Sequence, residues 1–263
     1  MAVILKSRPE IGRLREAGRI VAETFEMLRP HIQPGVSTAE LDALAEDFIK
    51  SKGALPLYKG YGAVPSYRGQ PARPAFPATL CTSVNDVICH GIPSPRETLR
   101  DGDIIGVDVG VLYRGWCGDA CETYAVGAVA PETQRLMDVT RRCMELGIEQ
   151  ARPGNRMGDI GAAIQEYAEA QGFSVVRELT GHGVGRQLHE SDPVVFHFGK
   201  RGTGMPIRPG MVFTVEPMIN AGKPDIRQMP DQWTIRTADG KLSAQYEHTL
   251  AITDDGYELL SVL

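Results

Sequence analysis

The chain has 263 residues, 42% hydrophobic and 23% charged, with a net charge of -5; it can bury a full core and is too acidic for tight, non-specific nucleic-acid binding. The opening Met-Ala-Val-Ile-Leu-Lys is too short an apolar run for a signal peptide, and no stretch approaches the roughly 18 apolar residues of a membrane span. Five cysteines, an odd number in a chain this long, do not form a disulfide framework, so the expected compartment is the cytoplasm.

Taken in chain order, the first half opens with two helix starts. Ser7-Arg-Pro-Glu10 and Ser37-Thr-Ala-Glu40 both fit the capping box, in which the two side chains satisfy orphan backbone N–H groups. Pro34-Gly35 leads into Leu41, Leu44, Ala45, Phe48 and Ile49 at helical spacing, and the pattern stops at Gly53. His90 lies in Asn85-Asp-Val-Ile-Cys-His-Gly-Ile-Pro93, just before a turn. Two strand-like runs follow, Asp103-Ile-Ile-Gly-Val-Asp-Val-Gly-Val111 with Asp108 inside it and Trp116-Cys-Gly-Asp-Ala-Cys121 with Asp119. A two-residue turn at Tyr113-Arg114 predicts a hairpin with Asp108 directly opposite Asp119, while Gly106 and Gly110 leave room on that face for a ligand.

The second half repeats the plan. Pro153-Gly154 opens a segment with Ile160, Ala163, Ile164 and Tyr167 that stops at Gly172, the same length from Pro to final Gly as the earlier one. Gly181-His182-Gly-Val-Gly-Arg-Gln-Leu-His189-Glu sets two histidines among glycines, where small neighbours allow close approach. Pro209-Gly-Met-Val-Phe-Thr-Val-Glu216 echoes Asp101-Gly-Asp-Ile-Ile-Gly-Val-Asp108, and Glu247 precedes His-Thr-Leu-Ala-Ile252. The expected architecture is a single α/β (α+β) domain over 1–263 in two helix-helix-strand halves, about 1–128 and 129–263. A pseudo-two-fold axis would bring Asp108 and Glu216 together at its centre.

The two aspartates and two glutamates sit in apolar β-type runs that contain no Lys or Arg as a local partner. Buried carboxylates want cations, so a bound metal is the economical answer. Four carboxylates and one imidazole are too anionic for one divalent ion and suit two ions sharing bridging carboxylates, which points to hydrolysis by a metal-activated water. Serine nucleophile elbows, the phosphate loop and the His-Glu-x-x-His helix are absent. Cys81, Cys89, Cys117 and Cys121 lack paired C-x2-C spacing, Cys117 and Cys121 beside Asp119 read as apolar or outer lining, and His197 reads as structural.

Taken jointly, Asn-Asp-Val-Ile-Cys-His90-Gly-Ile-Pro, Asp108 with Asp119, Gly-His182-Gly-Val-Gly-Arg-Gln-Leu-His189-Glu, Phe-Thr-Val-Glu216-Pro-Met and Ser-Ala-Gln-Tyr-Glu247-His-Thr closely resemble type I methionine aminopeptidase, over nearly the whole chain. The resemblance, to the short bacterial form, implies the pita-bread fold, in which two pseudo-symmetric halves surround a central antiparallel sheet. It implies removal of the N-terminal methionine from nascent proteins when the second residue is small and uncharged, by a metal-activated hydroxide. Asp108, Asp119, His182, Glu216 and Glu247 would hold two divalent ions (Co, Mn, Fe or Zn), with Asp119 and Glu247 bridging. His90, His189 and Glu216 would be catalytic, with His90 and His189 also contacting substrate, and Phe76, Cys81 and Trp233 would line a methionine pocket suited to a thioether. The implied partners are nascent N-termini and, transiently, the ribosome; the chain would be a monomer binding no specific nucleic acid and no membrane. One departure is the Gly- and Pro-rich segment 59–75, longer than in many members, which reads as a surface loop near the site mouth.

Overall fold

Helix starts fall where the capping residues place them. In the computed structural model, which describes residues 3–65 and 72–263, α1 spans Arg8–Leu28 and α2 spans Thr38–Ser51. Glu10 accepts the Ser7 backbone N–H at 2.9 Å, and Glu40 accepts that of Ser37 at 2.8 Å. In the second half, α3 runs over Pro131–Gln150 and α4 over Met157–Ala170. Helices α2 and α4 are both 14 residues long. Each is bracketed by glycines at positive φ, Gly35 (93°) and Gly53 (71°) for α2, Gly154 (95°) and Gly172 (82°) for α4. The repeated Pro-Gly and final Gly therefore mark the same left-handed turns twice.

Two cores back these helices. Phe25, Leu28, Leu41, Ala45 and Ile49 pack with Ile105, Val107, Val109 and Val111. Leu136, Cys143, Ile160 and Ile164 pack with Phe213, Val215, Ile219 and Leu250. Between them lies a curled antiparallel sheet. Its strands run Leu55–Pro56, Ile104–Tyr113, Trp116–Ala125, Glu247–Ile252, Val212–Val215, Gly181–Gly183 and Glu190–Val195, with Leu80–Val84 beside Ile104–Tyr113 and Tyr257–Leu259 beside Glu247–Ile252. Strands of the two halves meet where Trp116–Ala125 pairs with Glu247–Ile252. This is the pita-bread arrangement of two helix-helix-strand halves.

The hairpin register differs from the sequence reading. Tyr113 pairs with Trp116, and the turn residues are Arg114 and Gly115, at φ 50° and 79°. Both central positions of such a turn are left-handed, a conformation costing about 1–2 kcal/mol for an ordinary L-residue and little for glycine, so the chain turns where the glycine is. Asp108 consequently faces Cys121, and Asp119 faces Gly110. Because pairing moves by two residues rather than one, both aspartates stay on the same face as diagonal neighbours.

Candidate metal centre

Strand registers assemble the site as two adjacent rows across one face of the sheet. In the first row Cys81 pairs with Asp108, Asp108 with Cys121, and Cys121 with Glu247. His248 pairs with Val215, and one further step of that register sets Glu216 opposite Glu247. In the second row Gly110 pairs with Asp119, whose carbonyl accepts the Thr249 hydroxyl at 2.7 Å. Thr249 pairs with Thr214, whose Oγ1 accepts the His182 N–H at 3.0 Å. Two-residue periodicity then turns Asp108, Asp119, His182, Glu216 and Glu247 toward one side. Asp108 and Glu216, expected to come together at the centre, share this row and face, with Cys121 and Glu247 standing between them.

One ligand atom from each of Asp119, His182 and Glu247 lies within 4.8 Å of the others. His182 Nδ1 is 3.1 Å from the Gly183 carbonyl, which places the ring proton on that nitrogen. Its Nε2 then turns a lone pair toward Asp119 Oδ2 and Glu216 Oε1, each 3.5 Å away. These contacts have salt-bridge distances, yet burial holds the His182 pKa down to about 3, so the ring is neutral and no ion pair forms. Three acceptors converging on one point, with Glu247 Oε1 buried and lacking a hydrogen-bond partner, are what a divalent cation would satisfy. Burial also pushes Asp108 up to about 7 and Glu216 to about 8, and raises Asp119 and Glu247 well above the carboxylate range with added repulsion among the four. The donor set therefore fits divalent metal, as nitrogen and oxygen ligands with bridging capacity.

Other side chains hold the ligands in place. Thr214 Oγ1 donates to Glu216 Oε1 at 2.7 Å, Gln245 Nε2 to Glu216 Oε2 at 3.3 Å, and the Glu216 N–H to His197 Nε2 at 3.3 Å. His197 is thus buried behind the site, as its structural reading anticipates. The Tyr58 hydroxyl is hydrogen-bonded to both Asp108 and Asp119. A Cβ on Gly110 would come within 2.3 Å of the Tyr58 ring, so the space expected there for a ligand is filled by Tyr58, and Gly106 faces Ser83 instead. Gly181 is tight for a similar reason: a Cβ there would meet the Thr214 carbonyl at 2.5 Å. The glycines around His182 let neighbouring strands close in.

All ten residues singled out from the sequence line one cavity of about 280 Å³: the five above with His90, His189, Phe76, Cys81 and Trp233. Phe76 meets Trp233 edge-on at 5.3 Å between ring centroids, and His90 lies 6.3 Å from Trp233. His189 meets His182 edge-on at 4.1 Å between ring centroids, and its Nδ1 is 2.5 Å from the Tyr61 hydroxyl. Burial lowers His90 to about 4 and also lowers His189, so both rings stay neutral. Sequence reasoning missed Tyr58, Tyr61, Arg73 and Leu188 in this wall; their placement depends on long-range packing without a local signal. A larger, more open depression of about 530 Å³ shares none of these residues. Of segment 59–75, the ends are held by backbone hydrogen bonds between Val64 and Arg73, and 66–71 lie outside the described residues.

Comparison with known proteins converges on the same chemistry. The model of metallopeptidase family M24 matches residues 12–254. Methionine aminopeptidase A of Synechocystis sp. is 47% identical over 260 residues, covering 99% of this chain and 98% of that protein. A crystal structure of methionine aminopeptidase from Rickettsia prowazekii aligns with a TM-score of 0.92 at 43% identity, covering 99% of this chain and 100% of that one. The prolidase of Pyrococcus horikoshii aligns with a TM-score of 0.74 at 20% identity, covering 98% of this chain and 63% of that one, and so shares the fold. Among the described residues no helix is long and apolar enough to cross a membrane.

Proposed function

Because this chain belongs to metallopeptidase family M24, we propose that it hydrolytically removes the N-terminal methionine from nascent proteins whose second residue is small and uncharged. The observation that carries this is the convergence of Asp119, His182 and Glu247 donor atoms within 4.8 Å on the floor of the cavity that also holds Phe76, Cys81 and Trp233. Asp108, Asp119, His182, Glu216 and Glu247 would hold two divalent ions; Co, Mn, Fe and Zn all suit this donor set. When bound, such ions supply Lewis acidity and lower the pKa of water toward neutrality.

The chain's own groups do the rest. Phe76, Trp233 and Cys81 surround the methionine side chain with aromatic and polarizable contacts. The Tyr61 hydroxyl is hydrogen-bonded to His189 Nδ1; with Tyr61 as the donor, the His189 Nε2–H would be left to donate to the oxyanion as the scissile carbonyl becomes tetrahedral. His90, kept neutral by burial, accepts or donates at the peptide nitrogen after the methionine. Glu216 takes a proton from the attacking water and delivers it to the leaving amine; Thr214 and Gln245 hold its two oxygens for that transfer. A cavity of about 280 Å³ leaves little space beyond the methionine, which favours a small second residue.

On this reading 1–263 is one catalytic domain acting as a cytoplasmic monomer, and the net charge of -5 supports only brief contact with the ribosome. Metal analysis alongside cleavage of Met-Ala-Ser and Met-Lys-Ser peptides tests it. Release of methionine from the first and little from the second, abolished by a chelator and restored by divalent metal, is the expected result. Turnover confined to Xaa-Pro peptides would overturn it.

A further inference from the structure

Arg73 is a built feature of the cavity mouth. Its backbone pairs with Val64 through two hydrogen bonds of 2.9 Å. Its Nε donates to the Gly62 carbonyl at 3.0 Å, and its guanidinium carbon lies 4.6 Å from the centroid of a Trp233 ring. Gly62 is at φ 71°, and a Cβ there would strike Trp233 at 2.6 Å, so Gly62, Trp233 and Arg73 form one close stack. A guanidinium held on an aromatic face with its Nε occupied has little freedom to swing into solvent.

The charge has no carboxylate partner among the described residues. Residues 57–78 contain no Asp or Glu, and Lys59 in that segment is already paired with Glu46 at 2.7 Å. The acid nearest to Trp233 in sequence, Asp231, is spent locally: its Oδ1 accepts the Trp233 and Thr234 N–H groups and its Oδ2 the Thr234 hydroxyl. Arg73 nevertheless lines the same cavity as His90 and His189. After burial and His189, its charge is the next influence keeping His90 neutral. On the pocket assignment proposed above, a peptide leaving the methionine pocket past His90 would pass this guanidinium.

We infer that Arg73 is a specificity-determining residue that selects substrates carrying an acidic side chain, and disfavours those carrying a basic one, shortly after the cleaved bond. This rests on the methionine-removing activity proposed above. The test is competition between Met-Ala-Asp-Ser and Met-Ala-Lys-Ser, and between Met-Ala-Ser-Asp and Met-Ala-Ser-Lys, all amidated at the C-terminus so that the side chain is the only carboxylate. Attraction of one peptide and repulsion of the other, each comparable to a partly exposed ion pair, give an acid-over-base ratio in kcat/KM of about 5–10-fold at one of the two positions. Arg73→Ala brings that ratio to about 1, Arg73→Glu inverts it, Arg73→Lys retains part of it, and salt reduces it in the native protein. Each ratio is taken within one variant, so a change in the folded fraction does not enter. Equal ratios in native protein and Arg73→Glu overturn the inference while leaving the activity standing. Release of methionine from none of the peptides overturns both.

Discussion

The two halves bring their carboxylates to the same face by different means. In the first, Asp108 and Asp119 ride on one continuous hairpin of ten paired residues per strand, whose pairing orients them, and the Tyr58 hydroxyl is bonded to both. In the second, His182 and Glu247 lie on two separate short strands and Glu216 directly follows a third. Their orientation relies on polar ties from Thr214, Gln245 and His197. A site that needs several ligands at fixed distances can thus be half rigid by covalent continuity and half rigid by hydrogen bonding. The second half is where substitutions away from the ligands should tell most.

The largest effect tests whether the halves meet as equals. Asp119 and Glu247 lie on paired strands and contribute to the same three-atom cluster. Asp119→Ala and Glu247→Ala should each lower metal affinity and turnover by more than about 100-fold, beyond the loss for groups that only support a ligand. Calorimetric metal titration with a peptide assay checks this; near-native binding in either variant would show that its half does not hold metal.

Proton linkage gives the next effect. In metal-stripped protein Asp108 rises to about 7 and Glu216 to about 8, above the ordinary 3.8 and 4.5. The folded state keeps protons that the unfolded chain has released, so stability falls as pH rises from about 4 to about 8. His182 and His90, lowered to about 3 and about 4, act oppositely and cost stability as pH falls below 6.5. Between pH 6.5 and 8 only the carboxylates contribute among these four. Thermal melts there should show the stripped protein losing stability with rising pH, and added divalent metal removing the slope. A flat profile for the stripped protein would mean that the four acids are not mutually buried.

Thr214→Val and Tyr58→Phe compare the two kinds of support directly. The first removes the donor to Glu216 and the acceptor for the His182 N–H while keeping side-chain shape. A loss in metal affinity of about 10–100-fold follows. The second removes the hydroxyl bonded to Asp108 and Asp119, but the hairpin still aims both carboxylates, so its loss should stay under about tenfold. Equal losses would erase the contrast between the halves.

Much of this plan was legible because it is written locally. Capping boxes, Pro-Gly openings and final glycines mark α1, α2 and α4, and apolar strands interrupted by acids expose the ligands as misplaced charges. His182 and His189 stand out among glycines, and the joint motifs carry the resemblance to type I methionine aminopeptidase. What escaped depends on contacts between distant segments. Tyr58 reaches the aspartates through the gap at Gly110, Tyr61 reaches His189, and Arg73 reaches Trp233; none of these pairs shares a local pattern. The hairpin turn was misread by one residue because apolar alternation reports the face of a strand, which a shift of two in pairing leaves unchanged.

That turn carries the smallest effect and the finest test of hairpin autonomy. Gly115 sits at φ 79°, and a Cβ there meets nothing nearer than Arg186 Nη1 at 3.6 Å, an ordinary contact. Gly115→Ala therefore adds only backbone strain, about 1 kcal/mol for an L-residue in the left-handed region. In a chain of this size that corresponds to a melting temperature lower by about 2–4 °C. The ten cross-strand pairs below the turn, Asp108 with Cys121 and Gly110 with Asp119 among them, remain to hold the register. Metal affinity should then be unchanged even as the melting temperature drops. If affinity fell together with stability, the turn rather than the ladder would be aiming the aspartates, and the first half would depend on a single local device.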